Sequence, residues 1–372
     1  MINFQLYTRN KRNYDNLLQA YSKRYSDCTV GTPLIMSFLL TNRCNLRCKH
    51  CFYHKTLDHP FKSNERELTT DEFEKISKSM DWFLTGIFCG GEPFIRDDYA
   101  EIIYIFQKNN KIAVADSATN GQLTDSIISQ TEKILQRSKY QNYTLGLSLE
   151  GFEEINDEIR GKGTYNRALE TWRELKKIQL KYHNFEPYIC TTINTINQNT
   201  TASFIEWCMK KLIPAKISLI KIRQDPRDGA YLKDISPSNY RDCMLLIDKY
   251  IKNGLMGDIN KPQTYLLRNC YRHIYNTILT NTRDFYCYAG LHGGFIDFNG
   301  NVGVCEILDS IGNIKDYDYD FRKIWESKKA SEVKSVVCSD VKCLYCTHES
   351  EGLLPSINFE PNIIEINEGD MI

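Results

Sequence analysis

The stretch Leu34-Ile35-Met36-Ser37-Phe38-Leu39-Leu40-Thr41-Asn42-Arg43-Cys44-Asn45-Leu46-Arg47-Cys48-Lys49-His50-Cys51-Phe52 decides how the rest of the chain is read. Its first seven residues are an apolar run of strand length, and three cysteines follow in a short polar loop. Three residues separate Cys44 from Cys48 and two separate Cys48 from Cys51. A strand followed by three closely set thiolates suits a [4Fe–4S] cluster whose fourth iron has no protein ligand. Zinc knots generally use paired C-x2-C units, so zinc is the lesser reading here and needs His50 or His54 as a further ligand.

Outward from this loop, apolar strands alternate with amphipathic helical segments. The strands are expected at 34–40, 84–89, 111–116, 143–149, 185–192 and 216–222, with helical periodicity over 97–108, 124–138, 165–182 and 197–212. Six βα repeats imply an α/β fold with parallel strands and right-handed crossovers. Six is too few to close an eight-stranded barrel, which leaves an open or partial (β/α)6 barrel. Ligands bind at the C-terminal strand ends of such folds. There lie the cysteine loop, then Gly90-Gly91-Glu92-Pro93, Ser117-Ala118-Thr119-Asn120-Gly121 and Ser148-Leu149-Glu150-Gly151.

The cysteine motif, followed by Gly90-Gly91-Glu92-Pro93 after the next strand, resembles the signature of the radical S-adenosylmethionine (radical SAM) superfamily. The resemblance implies that S-adenosylmethionine fills the open iron and is cleaved by an electron from the cluster to a 5′-deoxyadenosyl radical. The protein then positions the cofactor and excludes water and oxygen. Phe52 and Tyr53 are placed to pack on the adenine, or equally to pack in the core. Gly90, Gly91, Glu92 and Pro93 are expected near the methionine end, with Glu92 accepting from its ammonium group; the plain alternative is a Gly-Pro turn. Thr119, Asn120, Ser148 and Glu150 fit ribose contacts, Arg160 resembles a family position that pairs with the methionine carboxylate, and Thr191 and Thr192 are expected to line the cavity. Helix capping and a surface arginine are the competing readings of those groups.

Near the C-terminus, Cys287, Gly300 and Cys305 precede Cys343-Leu344-Tyr345-Cys346, a pattern resembling the Twitch domain, the shortened form of the SPASM auxiliary-cluster domain. Four cysteines there would ligate one auxiliary [4Fe–4S] cluster, with a zinc-stapled domain as the alternative. Cys270 and Cys338 are spare. Asn299-Gly300 between apolar runs predicts a tight β-hairpin. The resulting division is a helical lead-in at 1–33, a partial barrel at 34–237, a helical linker at 238–282, an auxiliary-cluster domain at 283–350 and an acidic tail at 351–372.

The chain has 372 residues, enough for a large and a smaller unit. Its 47 basic and 47 acidic residues create no global field for nucleic acid. No secretion signal or apolar run of membrane-spanning length is present, and fourteen cysteines suit metal ligation in a reducing cytoplasm. The lead-in is short for a peptide-recognition domain, and the loop after strand six carries Lys221, Arg223 and Arg227, which suit an anionic substrate group. Both tilt the expectation toward dehydrogenation or epimerisation of a small sugar-, cyclitol- or nucleotide-like substrate, with Cys190 a hydrogen donor in the epimerisation case. The alternatives are a ribosomal-peptide maturase and a non-catalytic zinc or iron–sulfur scaffold. A flavodoxin- or ferredoxin-type protein is the expected electron donor.

Overall fold

Burial alternates residue by residue along the central strands, and this alternation sorts them into two faces. The computed structural model describes residues 31–58, 66–138, 141–212, 216–222, 226–256, 262–283, 287, 289–306 and 308–337. Residues 1–30 of the 1–33 lead-in, the acidic tail, Arg223, Cys338, Cys343 and Cys346 lie outside the described residues.

In chain order the elements are β1 (Ile35–Leu39), α1 (His54–Asp58), α2 (Thr70–Ser79), β2 (Thr85–Cys89), α3 (Tyr99–Asn109), β3 (Val114–Thr119), α4 (Thr124–Arg137) and β4 (Asn142–Ser148). Then come α5 (Glu153–Arg160), α6 (Thr164–Lys181), β5 (Phe185–Ile193), α7 (Thr201–Lys211), β6 (Ile217–Lys221), α8 (Pro237–Lys252) and α9 (Pro262–Thr280). The C-terminal part holds β7 (Gly293–Ile296), β8 (Asn301–Gly303), β9 (Gly312–Asn313), α10 (Phe321–Trp325) and α11 (Lys328–Val337).

One nine-stranded sheet carries them in the order β6-β5-β4-β3-β2-β1-β7-β8-β9. Strands β1 to β6 are mutually parallel, as the βα alternation requires. On the helix side, Phe38, Phe88, Ala115 and Leu145 pack against Phe73, Ile103, Phe106 and Ile134, while Leu147, Ile189 and Leu219 pack with Trp172, Phe204 and Tyr240. On the opposite side, the lumen face of the partial barrel, Ile87, Cys89, Asp116, Thr144, Ser148, Tyr188, Cys190 and Ser218 are only half-buried.

Strand β3 starts three residues later than its expected start at 111. Lys111 takes a left-handed conformation (φ 52°) in the turn before it, which delays the extended run. Ser117 to Thr119 are therefore strand rather than loop. Five helices have no counterpart in the sequence reading: α1, α2, which starts with a Thr69–Glu72 capping box, the short polar α5, α10 and α11.

Among the described residues the C-terminal strands belong to the barrel sheet. Strand β7 pairs in parallel with β1, Ile35 to Phe38 matching Gly293 to Ile296, so the expected hairpin extends the barrel sheet. The hairpin pairs Phe295 with Gly303 and Ile296 with Val302, and Gly300 at its turn has φ 93°. At the other edge β6 pairs with β5 alone among the described residues. Tyr271 of α9 covers it instead: its hydroxyl accepts from Leu219 N (3.3 Å) and donates to Ile217 O (3.2 Å).

Candidate radical SAM active site

The loop after β1 is fixed by elements from four other parts of the barrel rim. From the end of β2, Gly91 N donates to Thr41 O and Glu92 N to Arg43 O, both at 2.8 Å, so the glycine motif continues the β1–β2 pairing into the cysteine loop. This close approach requires glycine. A Cβ on Gly91 would lie 2.1 Å from Arg43 O, and one on Gly90, whose φ is 146°, would lie 2.5 Å from Thr41 O.

After β3, Asn120 Nδ2 donates to Asn45 Oδ1 (2.7 Å) and points at Cys44 Sγ (3.9 Å). At the end of α5, Ile159 O accepts from Lys49 N (2.9 Å) and an Arg160 terminal nitrogen points at Cys48 Sγ (3.9 Å). After β6, Arg227 N donates to Cys51 O (3.2 Å) and Asp228 N to Lys49 O (3.1 Å). The strand-six loop thus docks on the cysteine loop through its backbone, a role its charges did not indicate.

Cys44, Cys48 and Cys51 are half-buried free thiols. Burial raises all three thiol pKa values, that of Cys51 to about 11, while the Arg160 guanidinium partly offsets the effect at Cys48. Among the described residues no three His, Cys, Asp or Glu side chains are placed to share one metal ion. Three thiols on one loop, with side-chain N–H groups directed at two of the sulfurs, fit a cluster whose thiolates bind separate iron atoms.

Two buried carboxylates organise the rim around the loop. Glu92 accepts from Thr119 Oγ1 (2.9 Å), Asn120 N (2.8 Å) and Phe94 N (3.3 Å), tying the end of β2 to that of β3. Burial pushes its carboxyl up to about 7 despite these donors. Both oxygens thus accept bonds within the protein. Glu150 is likewise fully buried. It accepts from Arg160 Nε (2.9 Å) and from another guanidinium nitrogen, while its second oxygen accepts from Thr192 N (2.6 Å). Burial works against the Arg160 charge, but Glu150 outweighs it and holds the guanidinium protonated. His50 Nε2 lies 3.6 Å from the same carboxylate, and burial lowers its pKa to about 4.

The other expected residues divide by strand face. Ser148 is half-buried on the lumen side, in register with Cys190. Thr191 faces the helix-side core and not the lumen: it shares the strand face of Ile189 and Ile193, is fully buried and donates to Leu149 O (2.8 Å). Phe52 and Tyr53 meet edge to face with ring centroids 6.3 Å apart. Pro93 opens a short 3-10 turn. Cys287 and Cys305 pack against the core beside the hairpin, whereas Cys270 is buried in the α8–α9 core as a packing thiol.

Several rim and lumen residues were absent from the sequence reading. Arg96 is buried and donates to Leu40 O and Leu68 O (both 3.0 Å), and Glu67 accepts from Thr41 and Arg43, so together they brace the start of the loop. Deeper in the lumen, Asp116 accepts from Thr144 and from Tyr188 (3.3 Å), whose ring occupies space left by Gly146. Position relative to Gly90-Gly91-Glu92-Pro93 was the available signal for Arg96, and lumen-facing register was the signal for Asp116.

Residues 38–208 match the Radical SAM superfamily. This part of the chain is a radical SAM domain. Domains of this family use a [4Fe–4S] cluster with S-adenosylmethionine.

Among curated relatives, the Fe-coproporphyrin III synthase of Methanosarcina barkeri is 35% identical over 133 residues, covering 35% of this chain and 31% of the relative. The subtilosin biosynthesis protein AlbA of Bacillus subtilis is 33% identical over 163 residues, covering 40% of this chain and 33% of the relative. The chain thus spans about a third of the length of these two. The cysteine-type anaerobic sulfatase-maturating enzyme of Clostridium novyi aligns far more extensively, at 25% identity over 332 residues, 82% of this chain and 83% of that one. The solved structure of native anSMEcpe with bound AdoMet superposes with a TM-score of 0.59 and 18% identity over 89% of this chain and 100% of that chain, a likeness of fold. No helix among the described residues is long and apolar enough to cross a membrane.

Proposed function

We propose that this enzyme modifies a peptide or protein side chain by hydrogen abstraction, with one auxiliary [4Fe–4S] cluster near its C-terminal hairpin. The observation carrying this reading is the extent of the alignment with the sulfatase-maturating enzyme, which runs through the barrel and on into the C-terminal part. AlbA, a bacteriocin biosynthesis protein, supports the same substrate class. Together they favour a peptide over the sugar-, cyclitol- or nucleotide-like substrate expected from the short lead-in and the charged strand-six loop. That loop's backbone bonds to Cys51 and Lys49 give Arg227 and Asp228 a structural use.

When bound, the cluster and S-adenosylmethionine supply a carbon-centred radical able to take a hydrogen atom from an unactivated carbon. In this reading Cys44, Cys48 and Cys51 hold the cluster, and Gly90 and Gly91 let the backbone come close. Glu92, Thr119 and Asn120 form one wall of the cofactor site. Ser148, Glu150 and Arg160 form the other, with Phe52 and Tyr53 beside the loop. Cys287 and Cys305 supply two auxiliary-cluster ligands, and Cys343 and Cys346 the remaining pair. The packing of α11 supports this grouping: Lys334 of that helix lies against Gly290, as does Val304 beside Cys305, so the helix leading toward the last cysteines rests on the hairpin.

The test is anaerobic reconstitution with iron and sulfide, then reduction in the presence of S-adenosylmethionine. 5′-Deoxyadenosine should form, and faster with short cysteine- or serine-containing peptides, with a mass loss on the peptide. 5′-Deoxyadenosine formation that no peptide accelerates, but a porphyrin or sugar does, would reject the peptide reading. The 35% identity to a porphyrin-forming synthase makes the porphyrin the first comparison to run.

A further inference from the structure

Two of the three cluster cysteines have a side-chain N–H directed at sulfur. Arg160 points at Cys48 and Asn120 at Cys44, each at 3.9 Å. Neither donor is free to swing. The Arg160 fork is clamped by Glu150 through Nε and one terminal nitrogen, and its other terminal nitrogen faces the thiol. Glu150 is in turn fixed by Thr192 N and by Asn156, whose side-chain oxygen accepts from Glu150 N (3.0 Å). Asn120 is anchored by its own backbone N–H on Glu92 and by its side chain on Asn45. Both donors therefore sit in two-layer supports built from fully buried carboxylates on the strand ends.

Glu150 takes one edge of the Arg160 fork and so fixes the plane of the guanidinium. The same clamp aims its remaining edge at the cluster ligand. Donors to thiolate sulfur stabilise the more electron-rich, reduced cluster and raise its potential. We propose that Arg160 is a positioning residue that donates to the Cys48 thiolate and, with Asn120 at Cys44, sets the reduction potential of the radical SAM cluster. The third ligand, Cys51, is held through its carbonyl by Arg227 N and His54. The arrangement makes the cluster electronically lopsided, with the donor-rich side toward Asn120 and Arg160.

This inference rests on the radical SAM reading, and its test separates the two. The full chain is reconstituted anaerobically and titrated electrochemically while the reduced cluster is followed by electron paramagnetic resonance (EPR). R160Q at wild-type iron content should disfavour reduction about tenfold, a shift of roughly 59 mV to more negative potential. N120A should shift it in the same direction by less. R160K, which keeps the charge without the fork, should fall between R160Q and wild type. K49A should leave the potential unchanged, because Lys49 is adjacent in sequence but pairs with Glu158.

In deuterated buffer, an exchangeable-proton coupling to the cluster, seen by electron–nuclear double resonance, should disappear in R160Q. An R160Q cluster with wild-type potential and coupling, but weakened S-adenosylmethionine binding, would overturn the proposal in favour of a carboxylate anchor. Full restoration by R160K would overturn it in favour of simple charge. If the wild-type chain shows no S-adenosylmethionine-dependent change in its EPR signal, the underlying reading has failed instead.

Discussion

The two cysteine-bearing regions place their thiols by opposite means. Cys44, Cys48 and Cys51 share one loop, pinned by the ends of β2 and β3, by α5 and by the segment after β6. Cys287 and Cys305 instead flank a hairpin that joins the sheet through β7, in register with β1. The first site is assembled by local spacing and then immobilised; the second exists only once the topology is complete. Damage to the first should therefore abolish chemistry, and damage to the second should leave cofactor cleavage intact.

The largest effect tests that contrast directly. Cys48→Ala should lose reductive cleavage of S-adenosylmethionine to background in the 5′-deoxyadenosine assay. Cys305→Ala should retain cleavage while its iron content falls from about eight to about four atoms per chain. If both variants lost cleavage, the two regions would not be independent.

Glycine replacements sharpen the comparison. Gly91→Ala sets a Cβ against a backbone carbonyl, whereas Gly303→Ala sets one against the ring of Phe295, both at 2.1 Å. Each should destabilise by roughly 1–3 kcal/mol in chemical denaturation. Only Gly91→Ala should also impair assembly of the cluster that binds S-adenosylmethionine.

Both regions also bury a carboxylate, Glu92 at the rim and Asp297 at the hairpin turn, and burial raises the pKa of each. A carboxyl whose folded pKa exceeds its unfolded value adds stability that is fully present at low pH and lost as pH rises through the folded pKa. For Glu92 the window runs from 4.5 to about 7. Wild-type apoprotein should accordingly lose roughly 1–3 kcal/mol between pH 5 and pH 8, with Glu92→Gln flattening most of that slope in urea denaturation. A slope unchanged by Glu92→Gln would assign the titration elsewhere.

The smallest expected effect is at the far edge of the sheet. Tyr271→Phe should cost about 1–2 kcal/mol by leaving Leu219 N and Ile217 O without the phenol. Iron content and cofactor cleavage should be unchanged.

What the sequence made legible follows the range of each interaction. The motif cysteines and six parallel strands could be read because thiol spacing and apolar alternation are local patterns. The same alternation also held the correction for Thr191, since Ile189 and Ile193 mark its face as the helix side. The clamp on Arg160 was hidden because it depends on how α5 returns the chain to Glu150. The docking of Arg227 and Asp228 was hidden because backbone N–H groups carry no residue identity. The β1–β7 pairing joins strands hundreds of residues apart, and an isolated hairpin signal contains nothing about which edge it will extend.

That shared sheet has a mechanical consequence. Parallel hydrogen bonds along four register positions couple the hairpin to the very strand that leads into the first cysteine loop. The spacing between the first cysteine loop and the hairpin that Cys287 and Cys305 flank is therefore laid down at folding, like the gap between two terminals on one board.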